Sequence, residues 1–327
     1  MRVLVTGAGG FVGRYVVRGL QARGHAVTAV VRPGRPLPPD LEDTADVLRL
    51  DLRALDEGIA ARIAEHDAIV HLAAATTGTP RARFEGTVLA TERLLDGLDA
   101  HGWQGRFVLV STLAVYDFSE LPRGGLVDES TPLESSFRRR DDYAWTKAWQ
   151  ERVVDRWAER SSAELVTVRP GSIYGPERRF QHRLGRMFGE RVLLLIGGRA
   201  QMPLTYVENA ASLIAACVEH PAAVGEVFNG IDPDPMPQWR YLMRWRRYQR
   251  GVAVVPMPQT VYRAILLAYD RLERLSGGAI TAPGFFDLQV MTPSFGGFRF
   301  TAAKARDVLG WEPPVPVREA FRRTFAP

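Results

Sequence analysis

Lysine is nearly absent from this chain. Among 327 residues there are two, Lys147 and Lys304, against forty arginines. Cysteine is scarcer still: the single Cys217 lies in the apolar helical run AASLIAACVEH and reads as a small core residue. One thiol excludes both a disulfide framework and a thiolate metal cluster. Six histidines (25, 66, 71, 101, 182 and 220) show no H-E-x-x-H or related ligand spacing, so a metal enzyme is not expected. The longest stretch without a charged residue, 68–80, has thirteen residues. Crossing a bilayer takes about 20 apolar ones, so no transmembrane helix is expected. Repeats, low-complexity segments and Gly/Ser linkers are also missing. The N-terminus, MRVLVTGAGG, enters a β-branched strand by its second or third residue, which leaves no room for a signal peptide and places the protein in the cytoplasm as an expectation.

What is present is 46% hydrophobic and 24% charged residues, the balance of a globular protein with a large core. The net charge of +5 rests almost wholly on arginine. No nucleic-acid-binding motif accompanies it, so nucleic acid is not an expected partner. Arginine keeps its charge, whereas lysine's compact ammonium shifts its pKa readily and can serve a catalytic neighbour. A position that stays lysine in such a chain invites a chemical explanation.

Apolar β-rich runs at 3–6, 26–31, 46–51, 68–73, 106–111 and 164–170 alternate with helical spacing at 10–24, 87–102 and 143–161. Strands separated by helices at this interval predict an α/β fold with a doubly wound parallel (Rossmann) sheet. After Pro170 the pattern loosens into helices and short strands, with returns to the sheet near 203–230. Residues 1–170 are thus expected to form a dinucleotide-binding domain, and 171–327 mainly a smaller substrate-binding lobe interleaved with it.

The run TGAGGFVG places Gly7, Gly10 and Gly13 directly after a strand, and with Phe11 and Val12 opens an apolar helix. Such a turn lets backbone approach a pyrophosphate at a helix N-terminus. The second strand should end in the residue that reads the ribose 2′ position. An acid there suits NAD; this chain has Arg32, followed by Arg35, which favours NADP(H) while leaving NAD(H) open. Asp51 and Leu52 follow the third strand, where they could border the adenine or cap a helix. The fourth strand ends in HLAAAT, so Leu72, Ala73 and Ala74 allow a ligand to lie close, and His71 reads as a packed strand residue.

Taken in order, TGAGGFVG, DL at 51–52, HLAA, VSTLAVY, YAWTK, RPGSIYGP, YVENAA and KARDVLGWEP resemble the extended short-chain dehydrogenase/reductase superfamily over nearly the whole chain. The resemblance implies a catalytic group of Thr112, Tyr143 and Lys147. Thr112 is selected over Ser111 because it precedes Tyr116 by four residues. Tyr143 and Lys147, at i and i+4, share a helix face. A phenol of ordinary pKa near ~10 is a poor base, and the Lys147 ammonium is expected to lower that value and to hold the nicotinamide ribose. Pro170, Ser172 and Ile173 would pack against the nicotinamide.

Three departures sort the reactions that the resemblance leaves open. Dehydratases of this kind carry an acidic pair where this chain has Leu113 and Ala114. Many sugar-nucleotide enzymes carry asparagine in place of Ser172. Epimerases usually hold NAD, which Arg32 does not favour. The motif style is similar to the 3β-hydroxysteroid dehydrogenase and dihydroflavonol reductase branch, implying an NADP(H)-dependent carbonyl reductase or secondary-alcohol dehydrogenase. A sugar-nucleotide 4-epimerase or 4-ketoreductase is the alternative, and a non-catalytic dinucleotide sensor a third. The arginines of 177–199 and 239–250 suit an anionic small-molecule carbonyl or alcohol, or form a solvated surface. Helices near 87–102 and 143–161 are where relatives dimerise, so a homodimer is expected.

Overall fold

The computed structural model of the chain describes residues 1–119, 121–122, 124–136, 141–234 and 236–326. The β-branched runs become one seven-stranded sheet. Its strands are β1 (Arg2–Thr6), β2 (Ala26–Val31), β3 (Asp46–Arg49), β4 (Ala68–His71), β5 (Arg106–Val110), β6 (Glu164–Pro170) and β7 (Val227–Gly230). All pairings are parallel and the spatial order is β7-β6-β5-β4-β1-β2-β3, the expected doubly wound sheet.

Five helices cover its faces: α1 (Phe11–Ala22), α2 (Glu57–Ala64), α3 (Ala90–Ala100), α4 (Asp142–Ala158) and α5 (Val207–Glu219). Strand side chains alternate between faces. Val3 and Val5 therefore pack with Val16, Val17 and Leu20 of α1 and with Ile214 and Val218 of α5. Leu4, with Ile69 and Phe107, turns the other way onto Leu94 and Leu98 of α3 and Val154 and Trp157 of α4. Each such side chain, fully buried, contributes about 1.5–3 kcal/mol. The chain leaves β1 for β2 on one side and returns on the other at β4, so the connections diverge at the strands' C-terminal ends. That divergence opens a crevice there.

Beyond β6, Ser172–Tyr174 runs parallel to Leu204–Tyr206. The segment around 185–196, where the sequence suggests helix with short strands, is an antiparallel pair of Gly185–Phe188 with Val192–Ile196, extended by Ala253–Met257. Helices α6 (Gln238–Tyr248) and α7 (Gln259–Leu275) flank it. The apolar residues of α7 divide between two faces: Tyr262 and Leu266 pack on Phe285, Phe286 and Phe295, whereas Val261 and Leu272 are exposed. Near the C-terminus Arg299–Phe300 pairs with Leu126–Val127, tying the last segment back to the region after β5. Among the described residues no helix is long and apolar enough to cross a membrane.

Candidate functional site

The loop after β1 is a tight backbone cradle. Gly7 has φ +70°, a conformation that side chains resist, and Gly10 N donates to Gly7 O at 2.9 Å. A Cβ on Gly13 would lie 2.3 Å from Gly7 O, and one on Gly7 would lie 3.1 Å from Ala73 N. The loop is thereby pressed against Leu72 and Ala73 at the end of β4, with half-buried Ala74 next in line. Phe11 and Val12 open α1, whose first turn contains no acid, so its free N–H groups and positive dipole end face the crevice.

Arg32 follows β2 directly and is exposed, in no ion pair among the described residues. Its charge reaches Asp51 across the ends of β2 and β3. Asp51 caps the turn Leu52–Ala54, accepting from Arg53 N at 3.0 Å, and pairs with the Arg53 guanidinium at 2.7 Å. Those hydrogen bonds from Arg53 hold its carboxyl down at about 2. The geometry displays the cap, a role compatible with bordering an adenine; Leu52 is buried in the core beneath it.

At the end of β5 the backbone of Thr112 is extended, and its Oγ1 accepts from Ala114 N at 3.2 Å. The same hydroxyl lies close enough to the phenol of Tyr143 to favour its ionised form. Tyr143 stands in the first turn of α4, which Asp141 caps by accepting from Ala144 N at 2.8 Å. Burial raises the phenol above its ordinary pKa, opposed first by the Arg178 guanidinium and then by the Thr112 hydroxyl. The expected depression by Lys147 is therefore not what acts here: the net shift is upward and the counter-charge is Arg178. Lys147, one turn along and 2% exposed, directs its ammonium at Val110 O, 2.8 Å away, and at Gln150 Oε1. Burial pushes that ammonium down to about 8, with Glu151 pulling the other way.

Below the lysine, Glu151 and Arg169 form a buried ion pair, and Arg169 lies over the Tyr116 ring at 4.7 Å. Pro170 closes β6 in a buried position. A Cβ on the next residue, Gly171, would come 2.3 Å from Pro203 O, so glycine is what lets the two segments meet. Ser172 and Ile173, half-buried, sit opposite Leu204 and Thr205.

The glycine loop, Leu72–Ala74, Thr112, Tyr143, Lys147 and Pro170–Ile173 all border the C-terminal ends of β1, β4, β5 and β6. Arg32 and Asp51 lie farther along the same edge. The cradle that any Cβ would fill suits a pyrophosphate. The buried Ser111 Oγ, which has no hydrogen-bond partner among the described residues, offers a further polar atom at this edge. These residues fit a dinucleotide. Sequence reasoning missed Gln150, Glu151 and Arg169, whose readable signal was a charged residue inside an apolar strand; Arg178 falls in the arginine-rich stretch 177–199 that it read as suited to an anionic substrate.

Residues 3–229 match the model of the NAD dependent epimerase/dehydratase family. The whole chain is 30% identical to a 2-alkyl-3-oxoalkanoate reductase of Stenotrophomonas maltophilia, covering 99% of that protein. It is also 30% identical, over 98% of its length and 88% of the relative's, to a 3 beta-hydroxysteroid dehydrogenase/Delta 5→4-isomerase of Mycobacterium tuberculosis. In fold it is similar to the crystal structure of UDP-glucuronic acid 4-epimerase from Bacillus cereus in complex with NAD. There the TM-score is 0.72 at 19% identity, covering 99% of this chain and 96% of that one.

Proposed function

The chain belongs to the NAD-dependent epimerase/dehydratase family, and within it we propose an NADP(H)-dependent reductase of a small carbonyl compound, or the reverse alcohol dehydrogenase. The observation that carries this reading is the meeting of Thr112, Tyr143 and Lys147 beside the glycine cradle. Its chemistry is hydride and proton transfer rather than elimination, since Leu113 and Ala114 stand where a dehydratase needs acids. The two full-length relatives, a reductase and a dehydrogenase by name, support it further.

The residues divide the work as follows. Thr112 holds the substrate oxygen. Tyr143, kept protonated by burial, gives its proton to that oxygen, and the Arg178 charge with the Thr112 hydroxyl stabilises the phenolate left behind. A bound reduced nicotinamide supplies the hydride. Lys147 fixes the ribose and so the ring's distance from the carbonyl. Arg32, exposed at the end of β2 and in no ion pair among the described residues, suits a 2′-phosphate. Arg178 near Tyr143 suits a substrate with an acidic group, consistent with an oxoalkanoate.

The test is consumption of NADPH, and of NADH in parallel, with 3-oxoalkanoates as probes. The reading predicts stoichiometric NADPH loss. Tightly retained NAD, no net cofactor consumption and interconversion of a UDP-sugar would instead establish the second reading, a sugar-nucleotide 4-epimerase.

A further inference from the structure

Lys147 ends a chain of buried hydrogen bonds whose members constrain one another's donor and acceptor roles. Thr91 has a single hydroxyl proton and gives it to Thr87 O, 2.6 Å away. Its oxygen must then accept its two other contacts, from Gln150 Nε2 at 2.8 Å and from His71 Nε2 at 2.9 Å. The Gln150 amide is oriented as a result. Its Nε2 also faces Ala73 O at 3.2 Å, which leaves Oε1 to accept from the Lys147 ammonium. A flipped amide would set oxygen against the Ala73 carbonyl and NH2 against the ammonium.

The imidazole is fixed by the same logic. With its proton on Nε2, Nδ1 accepts from Thr6 Oγ1 at 2.8 Å, and Thr6 Oγ1 accepts from Ala73 N at 3.2 Å. Thr6, His71, Thr91 and Gln150 are all fully buried, so no water can substitute for a missing partner. A second proton on the ring would reverse that bond and leave the Thr6 hydroxyl proton without its acceptor.

We propose that Gln150 and His71 are positioning residues for Lys147. The neutral Nε2–H imidazole, acting through Thr91, locks the Gln150 amide so that its uncharged carbonyl faces the ammonium. The inference rests on the role proposed above for Lys147 and goes beyond it. The titratable groups that act on the ammonium are Glu151 on its own helix, itself paired with Arg169 on β6, and His71 on β4. Against that background a neutral acceptor steadies the charged lysine without binding its proton as firmly as a carboxylate would. Burial also keeps the imidazole uncharged, with its pKa pushed down to about 3.

Two measurements test this. Long-range proton–nitrogen NMR of the 15N-labelled full chain should show His71 as the Nε2–H tautomer, without titration between about pH 5 and about pH 9. An Nδ1–H tautomer or a titrating ring overturns the proposal. In activity profiles, Gln150→Met should move the alkaline limb of kcat/KM about one pH unit towards acid, and Gln150→Glu should move it towards alkali. A limb that stays in place in both folded variants also overturns it. If a variant does not fold, the wild-type spectrum decides. Full activity in Lys147→Met would sink the underlying reading instead, a result the histidine spectrum cannot produce.

Discussion

Arg169 Nη2 lies 2.6 Å from Glu151 Oε2, with the two side chains 6% and 1% exposed. Glu151 is also one helical turn from Lys147, so the pair anchors the floor of the site. Removing one member strands a charge where water cannot reach it. Arg169→Met should cost about 3–5 kcal/mol in denaturant unfolding, and pairing it with Glu151→Leu should recover much of that loss.

Tyr143→Phe removes one oxygen and leaves the fold intact. Turnover should fall roughly 10²–10⁴-fold while cofactor affinity, measured by fluorescence quenching, stays nearly constant. Loss of cofactor affinity without loss of turnover would place the proton donor elsewhere.

The Lys147 ammonium, pushed down to about 8 by burial, loses its charge as pH rises through that value. Activity that depends on the charged form should therefore be full below about pH 8 and decline above it. A profile flat to well beyond that point would show that the charge is not required.

His71 carries the opposite consequence for stability. Its pKa falls from an ordinary 6.5 to about 3 on folding, so the unfolded chain takes up the proton first. Stability is complete above about pH 6.5 and is lost as pH drops towards about 3, with a slope of up to about 1.4 kcal/mol per pH unit from this group. Urea midpoints across that window should fall less steeply in His71→Gln than in the wild type, whatever the variant's absolute stability.

Arg32→Asp reverses the charge at the end of β2. The preference for NADPH over NADH should shift towards NADH by roughly 10- to 100-fold, read as the ratio of kcat/KM values. An unchanged ratio would mean that Arg32 does not meet the ribose.

The sheet was legible because each strand is a short β-branched run between helical stretches, and the β1 turn because Gly7, Gly10 and Gly13 punctuate it. Helix α2 was not, since Gly58 interrupts a short apolar pattern; its one signal is Asp56, which accepts from Ile59 N at 2.8 Å. The hairpin at 185–196 was hidden in a charged segment whose turn needs Gly189 at φ +55°. Spacing brought Tyr143 and Lys147 to one helix face. It could not show that Gln150 turns inward from the same helix, because a buried amide leaves no periodic trace. The other lysine, Lys304, now has a place too: it pairs with Glu226 at 2.6 Å and lies over the Phe228 ring at 5.6 Å, pinning the edge strand β7.

The pairing of α5 with α1, and of β7 with β6, has a consequence for biosynthesis. Residues 207–230 complete the sheet that residues 2–170 begin, so one face of β1 and α1 stays uncovered on the ribosome until the intervening lobe has been made. A nascent chain halted at residue 170 would present Val3, Val5, Val16 and Leu20 without Ile214 and Val218 to cover them. Such a fragment exposes apolar surface that the finished sheet buries.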